Sequence, residues 1–137
     1  MPIFVDTAGW LALVNRSDQL HDQAVAVYRT LGKVPRLTTE AVLVETCNAL
    51  SRVPLRPLAG ALMSQAAEAE SLRVLRIVHV TRELTEEGWR LFVQRPDKDW
   101  SLTDCISFVV MRRRRCRRAF TSDHHFEQAG FERLLQP

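Results

Sequence analysis

Four carboxylates in this 137-residue chain stand where side-chain chemistry could be concentrated: Asp6, Glu45, Asp104 and Asp123. Asp6 follows the apolar run Pro2-Ile3-Phe4-Val5, and Asp123 follows Ala119-Phe120-Thr121. Short β-rich runs of this kind read as buried strands, so both acids fall at strand-to-helix junctions. Asp104 stands three residues after Ser101, at the head of a largely apolar helix. Glu45 lies inside Ala41-Val42-Leu43-Val44-Glu45-Thr46-Cys47, mid-helix and away from any capping position. A carboxylate there costs several kcal/mol to desolvate unless it is paired, hydrated or bound to metal.

Each acid also has a plainer explanation. Asp6 and Asp123 suit helix N-caps, whose side chains satisfy a free backbone N–H. Asp104 with Ser101 approximates a capping box. Glu45 could be neutralised by one of seventeen arginines. Together they say more. Carboxylates gathered at one sheet edge repel, raise one another's pKa and are stable mainly beside a cation. With oxygen ligands only and no His/Cys cluster, that cation would be hard, Mg²⁺ or Mn²⁺. Such ions orient a water, help generate hydroxide and stabilise charge developing on a phosphodiester. The spacing points to metal-dependent phosphoester hydrolysis.

The elements that must position these acids alternate. Strands are predicted over residues 2–5, 35–39, 73–80 and 119–121, with an edge strand over 132–135. Helices are predicted from Trp10 to Val14, from Ser17-Asp18 to Leu31 before Gly32, and over 40–52, 57–72, 81–93, 102–115 and 123–128. Strands separated by helices argue for an α/β fold with a parallel sheet covered on both faces. Right-handed crossovers then bring the strand carboxyl ends to one edge, where ligands bind near the topological switch point.

Hydrophobic residues at 46% and charged residues at 26% exclude wholesale disorder, and no apolar run reaches the ~18 residues of a membrane span. The start Met1-Pro2-Ile3-Phe4-Val5-Asp6 lacks the pattern of a secretory leader. Cys47, Cys105 and Cys116 form no C-x-x-C pair and read as free thiols of a cytoplasmic protein. The net charge of +3 is local in origin. Arg112, Arg113, Arg114, Arg115, Arg117 and Arg118 supply six positive charges; without them the balance is −3. At 1.5 Å per residue the run lies roughly 12–21 Å beyond Asp104, towards the far edge of the sheet. There the arginines can face a helix carboxyl end, and they can also contact phosphate or an acidic partner.

Four ordered segments carry a resemblance. They are Phe4-Val5-Asp6-Thr7 with Leu13-Val14-Asn15 and His21; Glu45 after Leu37-Thr38-Thr39; Asp97-Lys98-Asp99-Trp100-Ser101-Leu102-Thr103-Asp104-Cys105-Ile106-Ser107-Phe108; and Phe120-Thr121-Ser122-Asp123-His124-His125-Phe126 before Ala129-Gly130-Phe131. In these the chain resembles PIN-domain nucleases, specifically the VapC-type toxins of bacterial toxin–antitoxin modules, over nearly its whole length. The resemblance implies one nuclease domain over residues 1–137, built as a three-layer α/β/α sandwich around four to five short parallel strands. It implies a Mg²⁺ site, with Mn²⁺ as an alternative, and endonucleolytic cleavage of RNA. Asp6 and Asp104 would ligate the metal directly, with Glu45 and Asp123 completing the shell or positioning water. An antitoxin protein and a homodimer are the implied partners.

Other residues carry competing roles. Glu40 is a second acid on the Glu45 helix, placed to suit the helix dipole. Asp99 could reach metal through water or simply shape its loop, and Thr121 could bond an acid or phosphate. His124 and His125 read as exposed residues able to reach RNA. Trp10, Trp89 and Trp100 read as core, with a dimer or antitoxin groove as the alternative. A non-catalytic RNA-binding module, motivated by the arginines, is the competing function. A phosphatase is disfavoured because Ala8, two residues after Asp6, is not a second aspartate.

Overall fold

Ile3, Phe4 and Val5 are wholly buried, and this three-residue strand is the middle of the sheet. The computed structural model describes residues 1–137. Its strands are β1 (Ile3–Val5), β2 (Arg36–Thr39), β3 (Leu75–Val78), β4 (Arg118–Phe120) and β5 (Glu132–Arg133). They form one sheet in the order β3-β2-β1-β4-β5, with every neighbouring pair parallel. The connecting helices are α1 (Thr7–Val14), α2 (His21–Thr30), α3 (Glu40–Ala49), α4 (Arg56–Ser71), α5 (Arg82–Gln94), α6 (Leu102–Arg113) and α7 (His124–Gln128).

The chain lays down β1, β2 and β3 in one direction, then crosses back to place β4 and β5 on the other side of β1. Right-handed crossovers therefore put α1–α4 on one face and α5–α7 on the other. The direction reverses between β1 and β4, so the crevice at their carboxyl ends is the switch point. The expected sandwich around a parallel sheet is observed, with five strands.

Aromatic packing fixes α6 and α7 to the sheet. Phe108 on α6 meets Trp100 and Phe126 edge-on, each at a centroid distance of 5.0 Å, while Phe126 lies 6.2 Å from Phe4 of β1. Edge-to-face contacts of this kind add to the area these rings bury. Helix α1 approaches β4 so closely that a Cβ at Gly9 would overlap the carbonyl and ring of Phe120. That contact holds Asp6 and Thr121 side by side. Arg36 is buried with its guanidinium satisfied only in part: Nη1 donates to the carbonyls of Gly32 and Val34 and the group stacks on Tyr28 at 4.7 Å, while Nε makes no hydrogen bond.

Several boundaries differ from expectation. Helix α2 starts at His21 rather than Ser17-Asp18, because Asp18 Oδ1 accepts from Leu20 N–H and closes a turn first. Helix α1 begins at Thr7 and already contains Gly9. Helix α6 stops at Arg113, since Arg115 takes a left-handed conformation with φ of +56°. Strand β5 is two residues long. All three cysteines are free, Cys105 and Cys116 buried and Cys47 half-buried. Trp10 and Trp100 are core residues, but Trp89 is 53% exposed.

Candidate active site

Asp6 leaves the end of β1 and is 3% exposed, yet its side chain makes no cap hydrogen bond to α1. The N-cap explanation of its carboxylate therefore fails. Instead Thr121, at the end of β4, donates its hydroxyl to Asp6 Oδ2 at 2.9 Å. The same Thr121 Oγ1 accepts from the backbone N–H of Asp123 at 3.1 Å. One threonine thus ties together the acids that follow the two strands at the switch point.

Asp104 arrives from α6. The capping box is real: Ser101 Oγ accepts from Asp104 N–H at 2.9 Å, and Asp104 Oδ2 accepts from Ser101 N–H at 3.1 Å. Asp123 does cap α7, its Oδ1 accepting from His125 N–H at 2.9 Å. For both residues the capping bond also aims the carboxylate. The structural and chemical explanations are compatible here.

His125 joins them. Its Nδ1 lies 3.1 Å from Asp104 Oδ2 and 3.3 Å from Asp123 Oδ1, with 19% of the side chain exposed. An ionised carboxylate only accepts, so it is an Nδ1–H that this ring would present to ionised Asp104 and Asp123. Two sequence expectations are corrected. His125 is an enclosed member of the cluster, not a surface residue, because the α7 cap turns its ring inward over Asp104. The cluster is also not oxygen alone, since an imidazole nitrogen lies among the acids, its Nδ1 turned to Asp104 and Asp123. Asp123, His124 and His125 each offer a ligand atom within 4.8 Å of the others, although His124 stays exposed. The signal for His125 was its place two residues after a cap, and the adjacent His124 masked it.

Burial pushes the Asp6 carboxyl up from 3.8 to about 7, and the charges of Asp104 and Asp123 push in the same direction. The Thr7 amide and the Thr121 hydroxyl oppose that rise. Burial likewise raises Asp104, reinforced by Asp123 and opposed by Ser101 N–H and His125. No arginine or lysine pairs with Asp6, Asp104 or Asp123. A cluster of carboxylates, crowded, desolvated and without a fixed cationic partner, fits a divalent ion.

Glu45 lies apart from these three, on α3, which packs against α6. It is half-buried on α3 and pairs with no arginine, so the salt-bridge explanation fails. It borders an open cleft of about 460 Å³ together with Val80 and Thr103, the residue before Asp104. No hydrogen bond joins it to the other three acids. Glu40 is engaged elsewhere: its carboxylate accepts from Val80 N–H and meets His79 Nδ1, both at 3.2 Å. His79 holds the Glu40 carboxyl below its usual range. Asp99 is exposed and makes no ion pair or hydrogen bond.

The PIN domain model matches residues 3–132. The 23S rRNA-specific endonuclease VapC20 of Mycobacterium tuberculosis, found in two strains, is 36% identical over 130 residues, covering 94% of this chain and 95% of the relative. The crystal structure of Mycobacterium tuberculosis VapC20, described as a sarcin–ricin loop cleaving toxin, superposes with a TM-score of 0.82 at 34% identity. It covers 94% of this chain and 95% of that one. The acids at the switch point, the parallel sheet that carries them and the near full-length match lead to one assignment: the chain belongs to the PIN domain family.

Proposed function

We propose that this chain is a metal-dependent endoribonuclease, the toxin of a toxin–antitoxin module. It would hydrolyse RNA phosphodiester bonds with Asp6, Glu45, Asp104 and Asp123 as its catalytic and metal-binding set. The single observation that carries this reading is the desolvated Asp6–Asp104–Asp123 cluster at the switch point, lacking any arginine or lysine. The ion would be Mg²⁺ or Mn²⁺, in keeping with carboxylate oxygens as the main donors. Bound there, it supplies the positive charge that admits a phosphodiester and activates water.

The chain's own residues do the rest. Asp6 and Asp104 would hold the ion. The Thr121 hydroxyl fixes the rotamer of Asp6, and the Ser101 amide fixes that of Asp104. Asp123 completes the acidic wall while its Oδ1 anchors α7. Glu45, free of any ion pair at the rim of the cleft, would complete the shell or position water.

The full-length match to a sarcin–ricin loop cleaving relative supports 23S rRNA as substrate. We assign the activity to one nuclease domain over residues 1–137, acting in the cytoplasm. No helix is long and apolar enough to cross a membrane. The proposed partners are an antitoxin and a second copy of the chain. Exposed Trp89, Phe92 and Val93 on α5, and Val44 and Met63 on α3 and α4, offer the apolar surface such contacts need. Primer extension on 23S rRNA, after incubation of ribosomes with the purified protein and Mg²⁺, tests the substrate. One discrete stop in the sarcin–ricin loop, abolished by EDTA, is expected; intact rRNA with other RNAs cut would overturn the choice of target.

A further inference from the structure

The arginine run takes no part in the chemistry above, and the backbone beneath it is unusual. Helix α6 ends in a turn in which Cys116 N–H donates to Met111 O at 2.9 Å and Arg115 N–H to Arg112 O at 3.3 Å. Helix α4 ends in the same way, Val74 N–H donating to Ala69 O at 2.9 Å and Arg73 N–H to Glu70 O at 3.0 Å. The left-handed residues of these turns are Arg115 at φ +56° and Arg73 at φ +58°. Such positions favour glycine, because a Cβ crowds the following carbonyl. The ends of α2 and α7 do use it, at Gly32 and Gly130. Arg73 and Arg115 are the only other residues with positive φ, and both side chains are exposed.

Both turns feed strands at one edge of the sheet, Arg73 just before β3 and Arg115 just before β4. The registers Leu75–Arg36, Arg36–Ile3 and Phe4–Ala119 put these strand starts level. At ~4.8 Å per strand, β3 and β4 are roughly 14 Å apart. Exposed along this edge are Arg73, Arg112, Arg114, Arg115 and Arg117. None of the five makes an ion pair; within the run only Arg113 does, with Glu87. Attraction to a helix carboxyl end accounts for Arg112 and Arg113, in the last turn of α6. It does not account for placing Arg73 and Arg115 where glycine is less strained. The run holds arginine and no lysine, the choice suited to bidentate phosphate contact.

We propose that this edge, opposite the carboxylates, is a second RNA-contacting surface, an arginine ridge that grips phosphates beyond the end of α6, which alone carries the chain about 13 Å from Asp104. The inference rests on the reading of RNA as substrate. A duplex strand presents a charge about every 3 Å, a repeat that five unpaired guanidinium groups can follow. The ridge adds affinity and register, and it touches no reacting atom.

The test measures binding of a labelled RNA hairpin of the sarcin–ricin sequence by fluorescence anisotropy, in EDTA and from 50 to 200 mM KCl. It compares wild type with Arg73→Gly/Arg115→Gly, with Arg112→Gln/Arg114→Gln/Arg117→Gln, and with all five changes. The glycine pair is expected to unfold at a higher temperature than wild type yet bind RNA more weakly. Each lost phosphate contact lowers the log–log salt slope by about 0.7–0.9, so the fivefold variant loses about 4. Wild-type affinity and slope in the fivefold variant would overturn the proposal. So would poly-glutamate binding wild type as tightly as the RNA does, which marks an acidic protein partner. Salt-dependent RNA binding without cleavage in Mg²⁺ removes the hydrolase reading and leaves the ridge; cleavage with unchanged binding in the variants removes the ridge alone. Failure of wild type to bind the hairpin removes both.

Discussion

Replacing Asp6 by Asn should make the metal-free protein more stable at alkaline pH while abolishing its response to metal. The folded-state carboxyl titrates at about 7, against 3.8 when unperturbed, because it is buried beside Asp104 and Asp123. The folded chain therefore retains a proton that the unfolded chain has released over this interval. That contribution to stability is fully present below about pH 4 and is lost as pH rises through about 7. At 1.36 kcal/mol per pH unit, the loss approaches about 4 kcal/mol by pH 8. Asparagine keeps an oxygen to accept from Thr121 and has no charge to desolvate. Urea unfolding in EDTA, followed by circular dichroism at pH 5 and pH 8, reads the difference. With a slope of roughly 1–3 kcal/mol per M, the variant's midpoint at pH 8 should exceed that of wild type by more than about 1 M. The gap should narrow at pH 5. Adding Mn²⁺ at pH 8 should stabilise wild type, by about 2.7 kcal/mol at a hundredfold excess over Kd, and leave Asp6→Asn unmoved. Parallel pH profiles for the two proteins would refute a carboxylate held at this cost.

Three further substitutions probe the support of the site. Ser101→Ala removes the oxygen that accepts from Asp104 N–H, so thermal unfolding should show a loss of about 1 kcal/mol, while the Ser101 amide that holds the Asp104 carboxylate is kept and metal affinity by calorimetry should change little. Gly9→Ala forces a methyl against the Phe120 carbonyl and ring, and denaturant titration should show a loss of roughly 1–3 kcal/mol or more, with cleavage reduced in parallel. His125→Ala removes the imidazole between Asp104 and Asp123. Calorimetric Mn²⁺ affinity should weaken at least about tenfold if the ring supports the ligands, as groups behind metal ligands do; unchanged affinity would show that the ring only fills space.

The sheet and the meeting of Asp6, Asp104 and Asp123 were legible because each rests on a local rule, whereas Glu45 stayed outside that cluster. Ile3-Phe4-Val5 and Ala119-Phe120 are too apolar and too short to be anything but buried strands, and parallel topology then brings Asp6 and Asp123 to one edge. The Ser101–Asp104 box was written in its spacing and survives unchanged. What sequence hid was directional. Asp6 was a fair N-cap on paper, yet Thr121, 115 residues away, captures its carboxylate. His125 and His124 are neighbours of one type, and only the turn of α7 shows that one faces Asp104 while the other faces solvent. Arg73 and Arg115 gave no sign of a helix end, because a left-handed arginine replaces the glycine by which such ends are recognised.

Single-turnover cleavage of a sarcin–ricin RNA hairpin, measured against Mn²⁺ or Mg²⁺ concentration for wild type and Asp104→Asn, tests the assignment of the acid cluster most directly. The wild-type rate should rise with metal to a plateau and vanish in EDTA. Asp104→Asn should lose at least about a hundredfold at saturating RNA while keeping its fold by circular dichroism, since the substitution leaves an oxygen to hold the Ser101 amide. Equal rates for the two proteins, or cleavage indifferent to EDTA, would contradict a carboxylate-held metal as the source of the activity.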